Sequence, residues 1–157
     1  LSYMGGLRVG EIAALKVGDV LDSMGRVHEQ LRLSAAITKG GHARTVFVND
    51  RLRKEIERYV AGLGDRQYQP ERPLLTTQKG RAFTANVLCQ LMGHIYKQAG
   101  FIGASSHSGR RWFITKLAHN GVSAKVIMTL AGHKHMTTTQ RYIEVNDDML
   151  RNAVAVL

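Results

Sequence analysis

Cysteine is almost missing from this chain. Cys89 is the only one in 157 residues. One thiol cannot close an internal disulfide, which excludes a disulfide-stapled secreted scaffold. Cys89 lies in the apolar run "NVLCQLM" and reads as a core residue. Proline is nearly as scarce. Both prolines, Pro70 and Pro73, fall in the polar stretch "GDRQYQPERP", which reads as loop. No apolar run approaches the length of a membrane span, and no signal peptide opens the chain. There is no glycine-rich loop of the kind that cradles nucleotide phosphates and no carboxylate cluster with metal-ligand spacing, so neither a nucleotide cofactor nor a metal is expected. Acid is also in short supply: 22 Lys and Arg face 12 Asp and Glu, a formal net charge of +10. That excess points to a polyanionic partner, above all nucleic acid. The first residue is Leu1 rather than Met, directly inside "LSYMGGLRVGEIAAL". This reads as a piece of a longer protein.

What is present suits one folded domain, with 44% apolar and 22% charged residues. Leu7, Ile12 and Leu15 mark a short amphipathic helix over roughly 8–16. The segments "VGDVLDS", "HEQLRLSAAIT" and "RTVFVND" alternate or run apolar between turns at Met24-Gly25 and Gly40-Gly41. They predict a small three-stranded antiparallel sheet near the N-terminal end. Asn49 or Asp50 caps a helix whose face carries Leu52, Ile56, Tyr59, Val60 and Leu63. Thr84 starts another to about Ala99, with Val87, Leu91 and Ile95 on one stripe and Leu88 and Met92 beside it. Ser105 or Ser106 starts a third, stopped at Asn120-Gly121, and Ser123 caps "AKVIMTLAG". A last helix follows Asn146. The fold class is α+β, mainly α-helical.

Chemistry-bearing residues are spread along this frame. Arg8 follows two glycines at a helix start, where backbone N–H groups and a guanidinium both favour phosphate. Glu11, in the first turn, complements the helix dipole. Lys39 sits at a hairpin tip, from which a mobile loop can carry a cationic acid into a site. His107 and Arg110 in "SSHSGRRWF" are three apart and share a helical face. "LAGHKHMTTTQRY" holds His133 just past a helix-ending glycine and Tyr142 nine residues later. The pair His133 and His135 lacks the further ligands a metal needs, and His135 reads as a surface or capping residue. Arginines, histidines and a lysine around a tyrosine suit a phosphodiester attacked by a phenol. Arginine neutralises the growing charge, histidine donates or moves protons, and lysine protonates the leaving oxygen.

The ordered series "GGLRVGEI", "TKGGHARTVFV", "HSGRR" and "LAGHKHMTTTQRY" resembles the catalytic domain of the tyrosine recombinases, the phage integrase family, over nearly the whole chain. The resemblance implies that Arg8, Lys39, His107, Arg110, His133 and Tyr142 are the catalytic set. Arg44, Arg111 and Arg141 are then DNA-backbone candidates. Gly109 stands where relatives often carry leucine, which implies looser local packing. The "MTTTQ" segment reads as a short helix or turn, and its mobility would let Tyr142 sit away from the site without DNA.

The resemblance further implies residues 1–145 as catalytic domain, lacking its first helix and an N-terminal DNA-binding domain, and 146–157 as a C-terminal tail helix. It implies a site-specific recombinase that cleaves and rejoins double-stranded DNA through a 3′-phosphotyrosine, with no cofactor. It would act in a synaptic tetramer on DNA, while the fragment alone is monomeric. It implies no membrane partner and a place in the bacterial cytoplasm, on chromosome, plasmid or phage DNA. Two alternatives stay open at this point. A type IB topoisomerase uses nearly the same residues, and a non-enzymatic DNA-binding module could retain the fold.

Overall fold

The computed structural model describes residues 1–63, 69–145 and 147–156. Helices α1 (Ser2–Gly5), α2 (Val9–Ala14) and α3 (Val17–Val20) come first. Strand β1 (Gln30–Leu33), a 3₁₀ turn (Ala35–Ile37) and strand β2 (Arg44–Phe47) follow. The remainder is helical: α4 (Asp50–Ala61), α5 (Ala85–Gln98), α6 (Ser108–His119), α7 (Ala124–Ala131), α8 (Met136–Gln140) and α9 (Asp147–Val154). Several of these starts are set by side chains that accept an orphan backbone N–H. Asn49 accepts from Leu52 at 2.9 Å, Thr84 from Val87 at 3.3 Å and Ser123 from Val126 at 3.4 Å. Each such cap is worth about 1 kcal/mol. Gly132 ends α7 in the left-handed conformation, at φ 63°.

The sheet has two strands among the described residues, not the three expected. β1 and β2 pair antiparallel, with Gln30 opposite Phe47 and Leu33 opposite Arg44. "VGDVLDS" was expected to be a strand and instead opens as α3. The Asp19 carboxylate accepts the Lys16 N–H at 2.8 Å, which starts a helical turn. Gly18 lies against Pro70, where an added Cβ would come within 2.9 Å of the proline ring. Leu21 then meets Val27 only as an isolated bridge. The end of the second expected strand, Ala35–Ile37, is the 3₁₀ turn.

Two apolar clusters organise the packing. Leu7, Leu15, Val17, Leu31, Leu33 and Leu52 are among the fully buried residues of the first, which α4 joins through Ile56 and Val60. Ile114, Ala118, Ile127 and Ala131, from α6 and α7, form the second. On α5 the stripe Val87, Leu91 and Ile95 is exposed, and Leu88 is the residue that is buried. Cys89 is half-buried rather than core, its Sγ 3.1 Å from the Ser106 hydroxyl.

α1 packs on α6. The seam is close: a Cβ on Gly109 would sit 3.1 Å from the Ser2 Oγ and 3.2 Å from the Tyr3 nitrogen. Glycine here tightens the packing it was expected to loosen, because its missing side chain lets two backbones approach. Tyr3 and Trp112 stack across the seam with centroids 3.9 Å apart. α9 leaves Leu150 and Val154 exposed. The expected cap Asn146, the terminal Leu157 and residues 64–68 of the proline-bearing loop lie outside the described residues. No helix among those described is long and apolar enough to cross a membrane.

Candidate active site

The site is built on the end of α7. A helix leaves its last carbonyls without intrahelical partners, and its C-terminus carries partial negative charge. Three successive carbonyls here each receive a guanidinium from a different element. Arg44, on β2, donates Nη1 to Leu130 O at 2.7 Å. Arg110, on α6, donates Nη2 to Ala131 O at 2.6 Å. Arg8, at the start of α2, donates Nη2 to Gly132 O at 3.0 Å. Arg110 also donates Nη1 to Gly6 O, and Arg44 reaches the same carbonyl at 3.4 Å. Gly132 has to be glycine on two counts. Its φ is positive, and a Cβ would collide with the Arg44 stem.

Glu11 offsets this gathering of positive charge. Its side chain is 1% exposed. The carboxylate accepts the Arg8 N–H at 2.7 Å and Arg8 Nη1 at 3.0 Å, then Arg44 Nε at 3.2 Å and Nη2 at 2.7 Å. Burial opposes its ionisation, but the hydrogen bonds and charges of Arg44 and Arg8 outweigh burial and hold its pKa below the ordinary value. Arg110 has no such carboxylate of its own and is 6% exposed. Burial first, then the charges of Arg8 and Arg44, lower its pKa to about 10.

His133 follows directly. Burial and the charges of Arg110, Arg8 and Arg44 push its pKa down to about 4, so the imidazole is neutral near pH 7. Its Nδ1 lies 2.8 Å from the Thr139 Oγ1. α8 is one short turn that folds the chain back, and the Tyr142 N–H bonds Thr139 O at 3.0 Å. The Tyr142 ring then lies beside His133, centroids 6.2 Å apart and planes 21° apart. It is half-buried against the second apolar cluster and close enough to Arg110 to act on its charge. The tyrosine is therefore docked beside His133, a placement that the sequence left open.

Of the remaining candidates, Lys39 and His107 stand at the rim. Lys39, His107, Arg111 and Arg141 are exposed. Arg8, Lys39 and His107 line one cleft of about 580 Å³. Arg8 also lines a second cleft of about 670 Å³, together with His42, Arg44 and His133. Arg8 and Thr38 thus line both. Arg44, expected on the DNA backbone, is turned inward instead. Its side chain is 7% exposed and its donors go to Glu11 and to main-chain carbonyls. Among the described residues no group of three or more His, Cys, Asp or Glu converges as a metal site.

A sequence model of the phage integrase family matches residues 1–149. The chain belongs to the phage integrase family. Family members similar to it include tyrosine recombinase XerC of Myxococcus xanthus, 31% identical over 157 residues, covering 96% of this chain and 50% of the relative. Tyrosine recombinase XerA of Pyrococcus horikoshii is also 31% identical, covering 98% and 51%. The chain spans about half the length of the curated relatives it matches. Among solved structures, a XerA recombinase superposes with a TM-score of 0.76 at 23% identity, over 98% of this chain and 54% of that one. The Tn1549 transposon integrase in complex with a circular intermediate DNA gives 0.76 at 20% identity, over 99% and 56%. At these identities the structures establish the fold: the mainly helical catalytic fold of the phage integrase family.

Two contributors to this integrase-family site escaped the sequence. Glu11 was read only as a dipole partner. Its spacing three after Arg8 is a capping-box signal, but nothing local reveals Arg44, 33 residues further on, as its second partner. Thr139 was hidden among three consecutive threonines, of which it is the buried one.

Proposed function

We propose that this chain is the catalytic part of a site-specific DNA recombinase that cleaves double-stranded DNA with Tyr142. The observation that supports this best is the Tyr142 ring docked beside a neutral His133 that feels the charges of Arg110 and Arg8. A tyrosine held next to preset cations is what attack on a phosphodiester requires. In this reading the Tyr142 oxygen bonds phosphorus while the bond to the 5′ oxygen breaks, leaving a 3′-phosphotyrosine. The phenol proton passes to His107, and Lys39, swung in by the β1–β2 loop, protonates the departing 5′ oxygen. Arg8, Arg110 and the His133 ring N–H bind the non-bridging oxygens. A 5′-hydroxyl from a second duplex then attacks the phosphotyrosine and restores the phosphodiester. Bond energy is conserved, so no cofactor is required.

The same reading takes residues 1–145 as the catalytic unit and 146–157 as a tail helix. It has the complete protein assemble as a tetramer on paired DNA sites in a bacterial cytoplasm. The relatives' names, tyrosine recombinases and an integrase solved with DNA, support this reading. The test is covalent capture. The complete protein on nicked duplex DNA is expected to form a denaturation-resistant adduct that chelator leaves unchanged. Tyr142→Phe is expected to abolish the adduct while DNA binding stays within a few fold. An adduct that persists in Tyr142→Phe removes Tyr142 as the nucleophile.

A further inference from the structure

We propose that Thr139 is a positioning residue: its hydroxyl donates to Nδ1 of His133, so that the ring presents Nε2–H to the cleft, while its carbonyl holds the turn that carries Tyr142. This inference rests on the reading that the site binds a phosphodiester.

The sequence offers three threonines in a row, and the structure treats them differently. Thr137 is exposed and Thr138 half-buried, whereas Thr139 is fully buried at 0% exposure. A buried hydroxyl without a partner is costly, and an apolar residue of the same shape would fill such a place without that cost. The partner that Thr139 has is His133 Nδ1, at 2.8 Å. The bond spans six residues and crosses from the loop after α7 to α8.

The direction of the bond follows from what surrounds the ring. The charged groups that face it are Arg110 from α6, Arg8 at the start of α2, Arg44 from β2 and the Tyr142 phenol after α8. Burial and three cations keep the imidazole neutral, and a neutral imidazole has one donor nitrogen and one acceptor. A phosphate oxygen in the cleft only accepts, so the nitrogen that meets it must carry the proton. That nitrogen is Nε2, because Nδ1 is occupied by Thr139. Nδ1 must then accept, and the Thr139 O–H must donate. Orientation of one ring nitrogen by a bond to the other is a general way to fix a histidine's tautomer.

Thr139 acts on the nucleophile as well. Its carbonyl accepts the Tyr142 N–H at 3.0 Å. Side chain and main chain of one residue thus link the histidine to the tyrosine.

The test begins on the unmodified chain. Nitrogen-15 NMR of labelled histidine near neutral pH is expected to show His133 protonated at Nε2 and hydrogen-bonded at an unprotonated Nδ1. Protonation at Nδ1 overturns the proposal. In Thr139→Val the Nδ1 signal should move to that of an unbonded acceptor. The His133 pKa should rise, since a bond favouring the neutral ring has gone. A fall, or no change, overturns the proposal, because it means that Thr139 accepts or is only filler. Single-turnover DNA cleavage by the complete protein should drop in Thr139→Val by up to about 10²–10³-fold, the worth of one preorganised donor, with DNA affinity little changed. Thr139→Ser, which keeps the hydroxyl, should restore both the NMR signature and the rate, and a Ser variant as slow as Val overturns the proposal. If Thr139→Val does not fold, the wild-type and Ser spectra still decide. The NMR result needs no DNA. A wrong tautomer therefore leaves the recombinase reading standing, and a missing Tyr142 adduct sinks that reading while the Thr139 bond stays measurable.

Discussion

Arg8, Arg44 and Arg110 are each tied to a carbonyl at the end of α7, whereas Lys39 and His107 at the rim, and Arg111 and Arg141, are exposed. The inner wall is wired before any substrate arrives. Burial and the neighbouring charges of Arg8 and Arg44 lower the proton affinity of Arg110, and Glu11 and the helix end hold the cluster together against that repulsion. The rim has no such wiring to set it. Lys39 rides on the β1–β2 connection, and His107 caps α6 without a side-chain cap bond. The difference teaches which costs belong to folding and which to binding. On the proposed function, wall residues would hold the protein together as well as the phosphate, and rim residues would take up their places when DNA binds.

The comparison breaks if the two classes respond alike to substitution. The largest expected effect is at the rim. Lys39→Ala should slow cleavage by about 10²–10⁴-fold, the usual worth of a positioned acid, with the melting temperature unchanged. A 5′-bridging phosphorothiolate, whose thiolate needs little protonation to leave, should restore most of the rate. No rescue would assign the acid to another group, with His42 in the neighbouring cleft the next to examine.

Glu11→Gln probes the wall and should reverse the pattern. It leaves two guanidiniums without their carboxylate, and breaking a buried pair on one side costs roughly 3–5 kcal/mol. Chemical denaturation measures this directly. Because the folded-state pKa of Glu11 is depressed, its contribution is present above its ordinary value of 4.5 and is lost as pH falls through the folded value. The wild type should therefore weaken on that acid limb, and the Gln variant should lack this part of the slope. Equal stability of the two proteins would mean that the wall is not wired as described.

The smallest effects belong to the outer arginines. Arg111→Ala and Arg141→Ala should each change stability by less than about 0.5 kcal/mol. If they touch DNA phosphates, each should lower the slope of log affinity against log salt by about 1, read from binding curves at several salt concentrations. A slope that does not move would place them off the DNA.

What could be read from the sequence divides along a similar line. Asn49, Thr84 and Ser123 announced their helices because capping is settled within four residues. The ordered motifs announced the family. The expected third strand failed because α3 is decided partly at a distance, where Gly18 rests on Pro70. Arg44 looked like any other surface arginine, since its burial depends on Glu11 behind it and Leu130 far ahead. Gly109 was misjudged for the same reason. Its neighbours across the seam, Ser2 and Tyr3, are more than a hundred residues away in sequence.

Those long spans have a consequence for how the protein is made. Arg110 meets Gly6 across 104 residues, and Arg8 meets Gly132 across 124. During synthesis Arg8 emerges before α7, His133 and Tyr142 and waits for them. Closing so long a loop is paid for only when the final helices dock. A polypeptide that stops short of α8 therefore holds Arg8 and Arg44 but lacks Tyr142, the nucleophile of the proposed function.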